Sequence, residues 1–318
     1  MKKVLALTLL AAFVTTGLAE VPNNSLAPAN TALQSGEADR ALALLSSLPS
    51  SAETHNLRCR VYFTLERWDD AANECDQAVR IDGQSATNHL WLGRALGEKA
   101  DKATFLAAYN LAKRAHAEFE RAVSLDPHDG EALTDLGEFY TSAPGVVGGG
   151  IDKAQALIPS LEKADPARAH ILLARIAENR KDYGSAEREF KLATTGEHPA
   201  FGWMTLGSFY RKHERWDDME AAVESGYRAA QHDRHAGVAL YNGASILAHS
   251  KRNLALAVKM LEEYLLDYPR TEEGPAFEAY TRLARLKAQL GDKSGAWQAR
   301  AAALKLAHDY KPALGLTF

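Results

Sequence analysis

Apolar residues recur three and four positions apart along most of the chain, which is the spacing of one face of an amphipathic α-helix. The clearest example is the face formed by Trp203, Leu206 and Tyr210. A polar turn at residues 212–214 follows, and Trp216 then opens a second apolar series. The pattern therefore predicts two helices joined by a short turn.

The parts of this helix pair recur elsewhere in the chain. The pentapeptide Glu-Arg-Trp-Asp-Asp occurs at residues 66–70 and 214–218, and Leu-Gly-x-Phe-Tyr occurs at residues 136–140 and 206–210. The order is constant, with a Leu-Gly or Leu-Ala helix first, then a polar turn, then an aromatic residue ahead of an Ala. Such self-similarity indicates a repeat protein, in which each unit buries its apolar face against its neighbours.

These residues resemble the tetratricopeptide repeat (TPR), a helix–turn–helix unit of about 34 residues. The resemblance implies an all-α fold in which about eight helix hairpins stack into a right-handed superhelix. It also implies that the first helices of the hairpins line a concave groove. The predicted units are residues 22–51, 52–85, 86–129, 130–168, 169–199, 200–234, 235–275 and 276–309.

Two of the predicted units are longer than the repeat. The third has about ten extra residues around positions 97–111, which predicts lengthened helices. The fourth contains a glycine-rich loop at residues 141–150, which we expect to shape one edge of the groove, although the sequence does not define the role of Gly145 to Gly150. Pro159 then predicts a kink or an early end of the following helix.

The start of the chain has the features of a secretory signal peptide. Two lysines precede an apolar run from Val4 to Val14 that is too short to span a bilayer. The small residues Gly17 and Ala19 precede the predicted cleavage point. The sequence therefore predicts a signal peptide at residues 1–19, a repeat domain at residues 20–318 and a periplasmic protein.

Composition and charge narrow the classes of partner. The 318 residues carry a net charge of −4 without a long run of like charges. Bulk binding to nucleic acid or to anionic membranes is therefore not favoured. No other apolar run is long enough to span a bilayer, so we expect no stable membrane insertion and a protein or peptide partner.

Cys59 and Cys75 are the only cysteines. An oxidising compartment permits a disulfide between them, but the sequence leaves the bond open because a helix pair could hold them one turn out of register.

The segment His232 to His235 looks like a metal cluster, yet a third ligand is not evident and no metal site is expected. Without a catalytic or phosphate-binding motif, we predict no enzyme activity and no cofactor.

The candidate binding residues are arginines on the groove side of the first helices. Aligning the units places four of them at one inward slot and a fifth one turn further along: Arg60, Arg94, Arg175, Arg285 and, displaced, Arg211. The planar guanidinium suits carboxylates, so the groove is predicted to bind an acidic peptide segment or the C-terminus of a polypeptide. The competing interpretation is that these arginines pair with groove acids such as Glu138 and Glu178, or are simply solvated. The carboxylate clamp of some family members needs a Lys and Asn pattern absent at these positions, and its activity is not expected here.

The function predicted from the sequence is that of a non-enzymatic scaffold, which holds a protein or peptide in its concave groove. The alternative is a small-molecule-binding or transporter-accessory periplasmic protein. An open groove would favour the scaffold, and a closed pocket would favour the alternative.

Overall fold

The computed structural model describes residues 25–318, so the predicted signal peptide lies outside the described residues. The described part contains seventeen α-helices and no β-strand. The helices are α1 Ala27–Gln34, α2 Ala38–Ser46, α3 Ala52–Thr64, α4 Trp68–Ile81, α5 Ala86–Lys102, α6 Phe105–Leu125, α7 Gly130–Ser142, α8 Ile151–Ala164, α9 Pro166–Asn179, α10 Tyr183–Leu192, α11 Pro199–Lys212, α12 Trp216–Ala230, α13 Gly237–Ser250, α14 Leu254–Asp267, α15 Ala276–Gln289, α16 Lys293–Leu306 and α17 Lys311–Leu314. Short 3-10 turns occupy Gly145–Val147 and Ala193–Thr195. The predicted all-α superhelix is confirmed.

Helices α1 to α16 form eight consecutive antiparallel hairpins. Polar residues at the predicted starts cap several of the helices: Ser51 Oγ accepts from Thr54 N at 3.2 Å, and Asp129 Oδ1 accepts from Glu131 N at 2.8 Å. Caps of this kind satisfy backbone N–H groups that have no partner inside the helix. Local polar residues therefore fix where each helix begins.

The turn inside a hairpin repeatedly uses one residue in the left-handed region. Glycines fill this position at Gly36 and Gly291, whereas four hairpins carry a side chain there: Glu66, Lys181, Glu214 and Lys251. A non-glycine residue in this region costs roughly 1–2 kcal/mol. The same turn geometry is therefore kept in six hairpins even where the sequence does not favour it.

The repeated Leu-Gly-x-Phe-Tyr motif produces the same contacts in both copies. Tyr140 Oη donates to Glu120 Oε1 at 3.0 Å, and Tyr210 Oη donates to Glu187 Oε1 at 2.9 Å. In each case the acceptor lies on the second helix of the preceding hairpin. The motif therefore joins adjacent hairpins through one buried tyrosine.

The two units that are longer than the repeat differ in how well the sequence predicts their helices. Helices α5 and α6 extend to 17 and 21 residues, as the extra residues predict, and Phe105 at the start of α6 is 92% exposed. Helix α8, by contrast, continues through Pro159 to Ala164, so the predicted early end is wrong. Burial of Ile158 and Leu161 on either side of the proline stabilises the helix despite the lost hydrogen bond.

The first hairpin packs against the last hairpin, which closes the superhelix into a ring. Leu33 and Leu45 share one buried cluster with Phe277 and Tyr310. Gly36 lies directly against Ala276 at the start of α15, a contact that a larger residue would not permit. The sequence did not predict this closure.

Polar contacts reinforce the seam between the first and last hairpins. Asp39 accepts from the His308 backbone N–H and contacts its Nδ1, both at 2.9 Å. Tyr310 Oη donates to Glu66 Oε1 at 2.8 Å. The seam therefore combines an apolar core with a polar rim.

The structure joins Cys59 on α3 to Cys75 on α4, with a Cα–Cα distance of 5.2 Å and both side chains fully buried. The pairing that the sequence left open is therefore a bond within the second hairpin. Within residues 25–318, no helix combines the length and the apolar character that crossing a membrane requires.

Candidate functional site

The first helices of the hairpins face the inside of the ring, and we call the space that they line the lumen. Its main cavity measures about 430 Å³ and lies among α7, α9, α11, α13 and α15. Met204, Ile171 and Ile246 supply apolar wall, while Ser208 and Asn242 supply polar wall. A cavity of this size and mixed lining falls in the range of small-ligand sites.

Arg60, the first of the five predicted arginines, is occupied by a carboxylate of the protein itself. Its Nε lies 2.9 Å from Glu272 Oε2 and its Nη2 lies 2.5 Å from Glu272 Oε1, a bidentate pair. Glu272 belongs to the loop between α14 and α15, which enters the lumen beside α3. The side chains of Arg60 and Glu272 are only 17% and 13% exposed, so this guanidinium has no free face for a peptide.

Arg94 is also paired internally. Its Nε lies 2.5 Å from Asp135 Oδ2 and its Nη2 lies 3.0 Å from Glu131 Oε2. Enclosure alone would lower the pKa of Arg94, but the two carboxylates outweigh this effect and raise the pKa above its usual value. The guanidinium also stands over the ring of Trp91, 4.7 Å from its centroid.

Arg175 shares one buried acid with Lys212 and His213. Glu178 accepts from Arg175 at 3.2 Å, from Lys212 at 2.8 Å and from His213 at 3.1 Å. Burial would raise the pKa of Glu178, but the hydrogen bond from Lys212 and the charge of Arg175 prevail and lower it. The structure thus places Arg60, Arg94 and Arg175 in pairs with acids of the protein itself.

Arg211 and Arg285 are the two predicted arginines that remain without a carboxylate partner within residues 25–318. Arg211 lines the lumen cavity and is exposed to it. Arg285 lines a neighbouring cavity of about 380 Å³ and donates weakly to the Pro312 carbonyl oxygen at 3.4 Å. These two positions are the ones at which an anionic group of a ligand could still bind.

Glu138 is the acid that most clearly lacks a partner in the lumen. It lines both the main cavity and a second one of about 340 Å³, and no side chain of residues 25–318 forms an ion pair with it. Enclosure by the ring raises its pKa, the charge of Asp135 raises it further, and Arg175 offsets part of the effect. Among the described residues, the lumen therefore contains one exposed carboxylate and one exposed guanidinium without a direct ion pair.

Three residues of the site were missed by the sequence reasoning. Arg282 lines the cavity, contacts Glu278 Oε1 at 2.5 Å and donates to Ser245 Oγ at 2.6 Å. Asn242 lines the cavity from α13, and Glu272 enters from a loop. Arg282 and Asn242 lie on first helices, where helical register could have revealed them, but no local pattern predicts that Glu272 reaches Arg60.

The glycine-rich loop contacts both the lumen edge and the outer layer of the ring. Thr141 and Ser142 line the cavity of about 340 Å³ next to Glu138. Gly148, with φ 112°, lies against the imidazole of His116 on α6, where a larger residue would collide with the ring. The loop therefore begins at the edge of the lumen and packs onto a second helix.

The segment His232 to His235, for which no metal site is expected, forms hydrogen bonds within itself and with His198. His198 Nδ1 lies 2.8 Å from Asp233 Oδ2, and the His235 backbone N–H donates to Asp233 Oδ1 at 2.8 Å. Elsewhere in residues 25–318, Asp39, His308 and Asp309 place ligand atoms within 4.8 Å of one another. Those groups already bind each other or Arg67 at the seam, so the geometry is explained without a metal.

Compared with known proteins, the sequence matches no family model and no curated protein. Among solved structures, MamA covers 50% of this chain and 87% of its own at 23% identity, with a TM-score of 0.39. YrrB, described as a TPR protein with an unusual peptide-binding site, covers 62% and 95% at 17% identity, with a TM-score of 0.37. Yeast Tom70 covers 83% and 61% at 17% identity, with a TM-score of 0.46. These similarities assign no function to the protein.

Proposed function

We propose that the protein is an exported, periplasmic, non-enzymatic scaffold that binds a peptide or protein segment in the lumen of its ring. The observation that carries the proposal is the cavity of about 430 Å³, in which Glu138 and Arg211 have no ionic partner among residues 25–318. Both side chains are exposed to the solvent of the lumen and are available to a charged ligand. Together with the apolar wall they supply the groups that a peptide-binding site needs.

The proposed location draws on the predicted signal peptide and on the buried Cys59–Cys75 bond, because disulfides persist in oxidising compartments such as the periplasm. Cell fractionation tests this part. We expect the protein in the periplasmic fraction with residues 1–19 removed. Recovery of the full-length protein in the cytosol would contradict it.

A photoreactive amino acid placed in the lumen tests binding. We choose Ser208, which lines the cavity, and compare it with Lys163, which is exposed on the second helix α8. The proposal expects crosslinks to a peptide or protein from position 208 and none from position 163. The same products from both positions, or none from position 208, would contradict it.

The alternative function, small-molecule binding as a transporter accessory, is favoured by one observation. The first and last hairpins close the ring, whereas an extended partner would fit better in an open groove. Native mass spectrometry of the protein purified from the periplasm separates the two functions. A retained small molecule without any peptide crosslink at position 208 would favour the alternative.

A further inference from the structure

Among the charged side chains that line the lumen cavity, one carboxylate and one guanidinium form no ion pair within the described part of the protein. Four charged side chains line it: Glu138, Arg175, Arg211 and Arg282. Arg175 is paired with Glu178 at 3.2 Å, and Arg282 is paired with Glu278 at 2.5 Å. Glu138 and Arg211 remain, and neither forms an ion pair with the described part of the protein.

This arrangement argues against a purely acidic ligand. An acidic segment would gain from Arg211 but would be repelled by Glu138 in the same cavity. A ligand with one positive and one negative end gains at both places, and the site then discriminates against ligands that carry only one sign. The predicted preference for an acidic segment therefore does not fit this cavity.

Neutral groups in the cavity match the backbone of a peptide. The side chains of Asn242 and Ser208 form no hydrogen bond with any other described residue, and both face the cavity. The carboxamide of Asn242 carries an acceptor and a donor group side by side, which is the complement of a peptide unit. Ile171, Met204 and Ile246 offer an apolar surface for a ligand side chain.

The length of the ligand follows from the size of the cavity. The cavity holds about 430 Å³, and an extended tripeptide spans about 10 Å. A peptide of this length can contact the cavity wall with both of its ends.

We propose that the lumen cavity binds short peptides of two to four residues with free termini, the amino terminus at Glu138 and the carboxylate at Arg211. This inference rests on the proposed function and specifies the ligand of the same site. Asn242 contacts a peptide unit between the two ends, and the apolar wall accepts side chains without strong selection.

Isothermal titration calorimetry with Ala-Leu-Ala in four forms tests the ligand class. The forms are free, N-acetylated, C-amidated and blocked at both ends. Removing one charge-assisted contact should weaken binding about tenfold. The free peptide should therefore bind best, each single block should weaken it about tenfold, and the double block should weaken it further.

Two variants assign the ends of the peptide. Glu138→Gln should weaken binding of the free peptide about tenfold but leave the affinity for the N-acetylated peptide unchanged. Arg211→Gln should also weaken binding of the free peptide about tenfold, but leave the affinity for the C-amidated peptide unchanged. Arg180→Gln, at an exposed position after α9 that does not line the cavity, is the matched control and should bind like the native protein. Neither lumen residue has an ionic partner among the described residues, so both variants should fold.

Equal affinity for free and blocked peptides would overturn the inference, and so would lack of binding by the free peptide. Neither result decides whether the protein is a scaffold, which the crosslinking test at position 208 decides. A protein segment crosslinked there without any affinity for free tripeptides would retain the scaffold and reject the short-peptide ligand.

Discussion

Glu138 is an exposed carboxylate that lies among other charged side chains of the lumen. It projects from α7 into the lumen, with Asp135 one turn earlier on the same helix. The enclosure and the neighbouring carboxylate raise its pKa above the ordinary value of 4.5. Keeping such a group ionised at neutral pH destabilises the folded protein, a cost that function can explain.

We expect Glu138→Gln to stabilise the protein at pH 7 by less than about 1 kcal/mol, because water in the lumen screens the charge. The folded state binds the proton more tightly than the unfolded state, so native stability falls as pH rises above the ordinary value of 4.5. The Tm of Glu138→Gln, measured by circular dichroism, should therefore exceed that of the native protein at pH 7, and the difference should shrink toward zero near pH 4.

The control for losing one surface carboxylate is Glu162→Gln, at an exposed position on α8. A Glu138→Gln variant that is less stable than the native protein at pH 7, or whose stability difference does not depend on pH, would contradict this account of the residue.

At the residue scale, the sequence predicts inward positions better than it predicts partners. Helical register brings Arg60, Arg94 and Arg175 to the inner face, because that position depends only on the period of the helix. Their partners differ: Glu178 is three residues from Arg175, whereas Glu272 is 212 residues from Arg60. Pairs of the second kind depend on how the whole ring closes, which no local pattern specifies.

The hairpin is the element from which the molecule is built, and the sequence predicts it well. The apolar period of the first and second helices places small or apolar residues such as Ala71, Cys59 and Cys75 in the interface, where all three are fully buried. Pro159 shows the limit of this reasoning, since burial of the adjacent residues overrides a local helix breaker. Tertiary packing therefore determines that α8 continues past Pro159.

The second hairpin should owe much of its stability to the Cys59–Cys75 bond. The bond closes a loop with a sequence separation of 16 residues, and constraining a loop of that length in the unfolded state contributes about 3 kcal/mol. We expect the Cys59→Ala/Cys75→Ala double variant to lose about that free energy of unfolding in urea titrations. The native protein under reducing conditions should show a similar loss, and an unchanged unfolding midpoint in both samples would contradict the bond.

The whole molecule differs from the sequence-based expectation in one respect, because the stack of hairpins closes on itself. Terminal repeats of an open stack present a polar outer face, but here the first and last hairpins bury Leu45, Phe277 and Tyr310 in a shared core. Each end alone resembles an ordinary amphipathic hairpin. Their mutual fit becomes visible only when the curvature of eight units is known.

Gly36 and Gly291 provide a matched test of the seam. Both have positive φ, 69° and 86°, but only Gly36 faces another element, since nothing lies within 4 Å of a Cβ atom added at Gly291. We expect Gly291→Ala to cost about 1 kcal/mol from backbone strain alone. Gly36→Ala should cost about 1–3 kcal/mol more because its methyl group collides with Ala276. If the two variants lose the same free energy of unfolding in urea titrations, the first hairpin does not pack against α15 in solution.

The closed ring is tested most directly by the distance across its seam. Nitroxide labels at Arg40 on α2 and Lys305 on α16, both exposed, would report on the seam and leave the contact between Asp39 and His308 intact. The native cysteines are bonded to each other and leave introduced cysteines free for labelling. Pulsed electron–electron double resonance should give one short, narrow distance, set by neighbouring helices whose axes lie about 8–10 Å apart and lengthened by the two label arms. A broad distribution several helix diameters longer would mean that the stack is open and that the lumen cavity does not exist in solution.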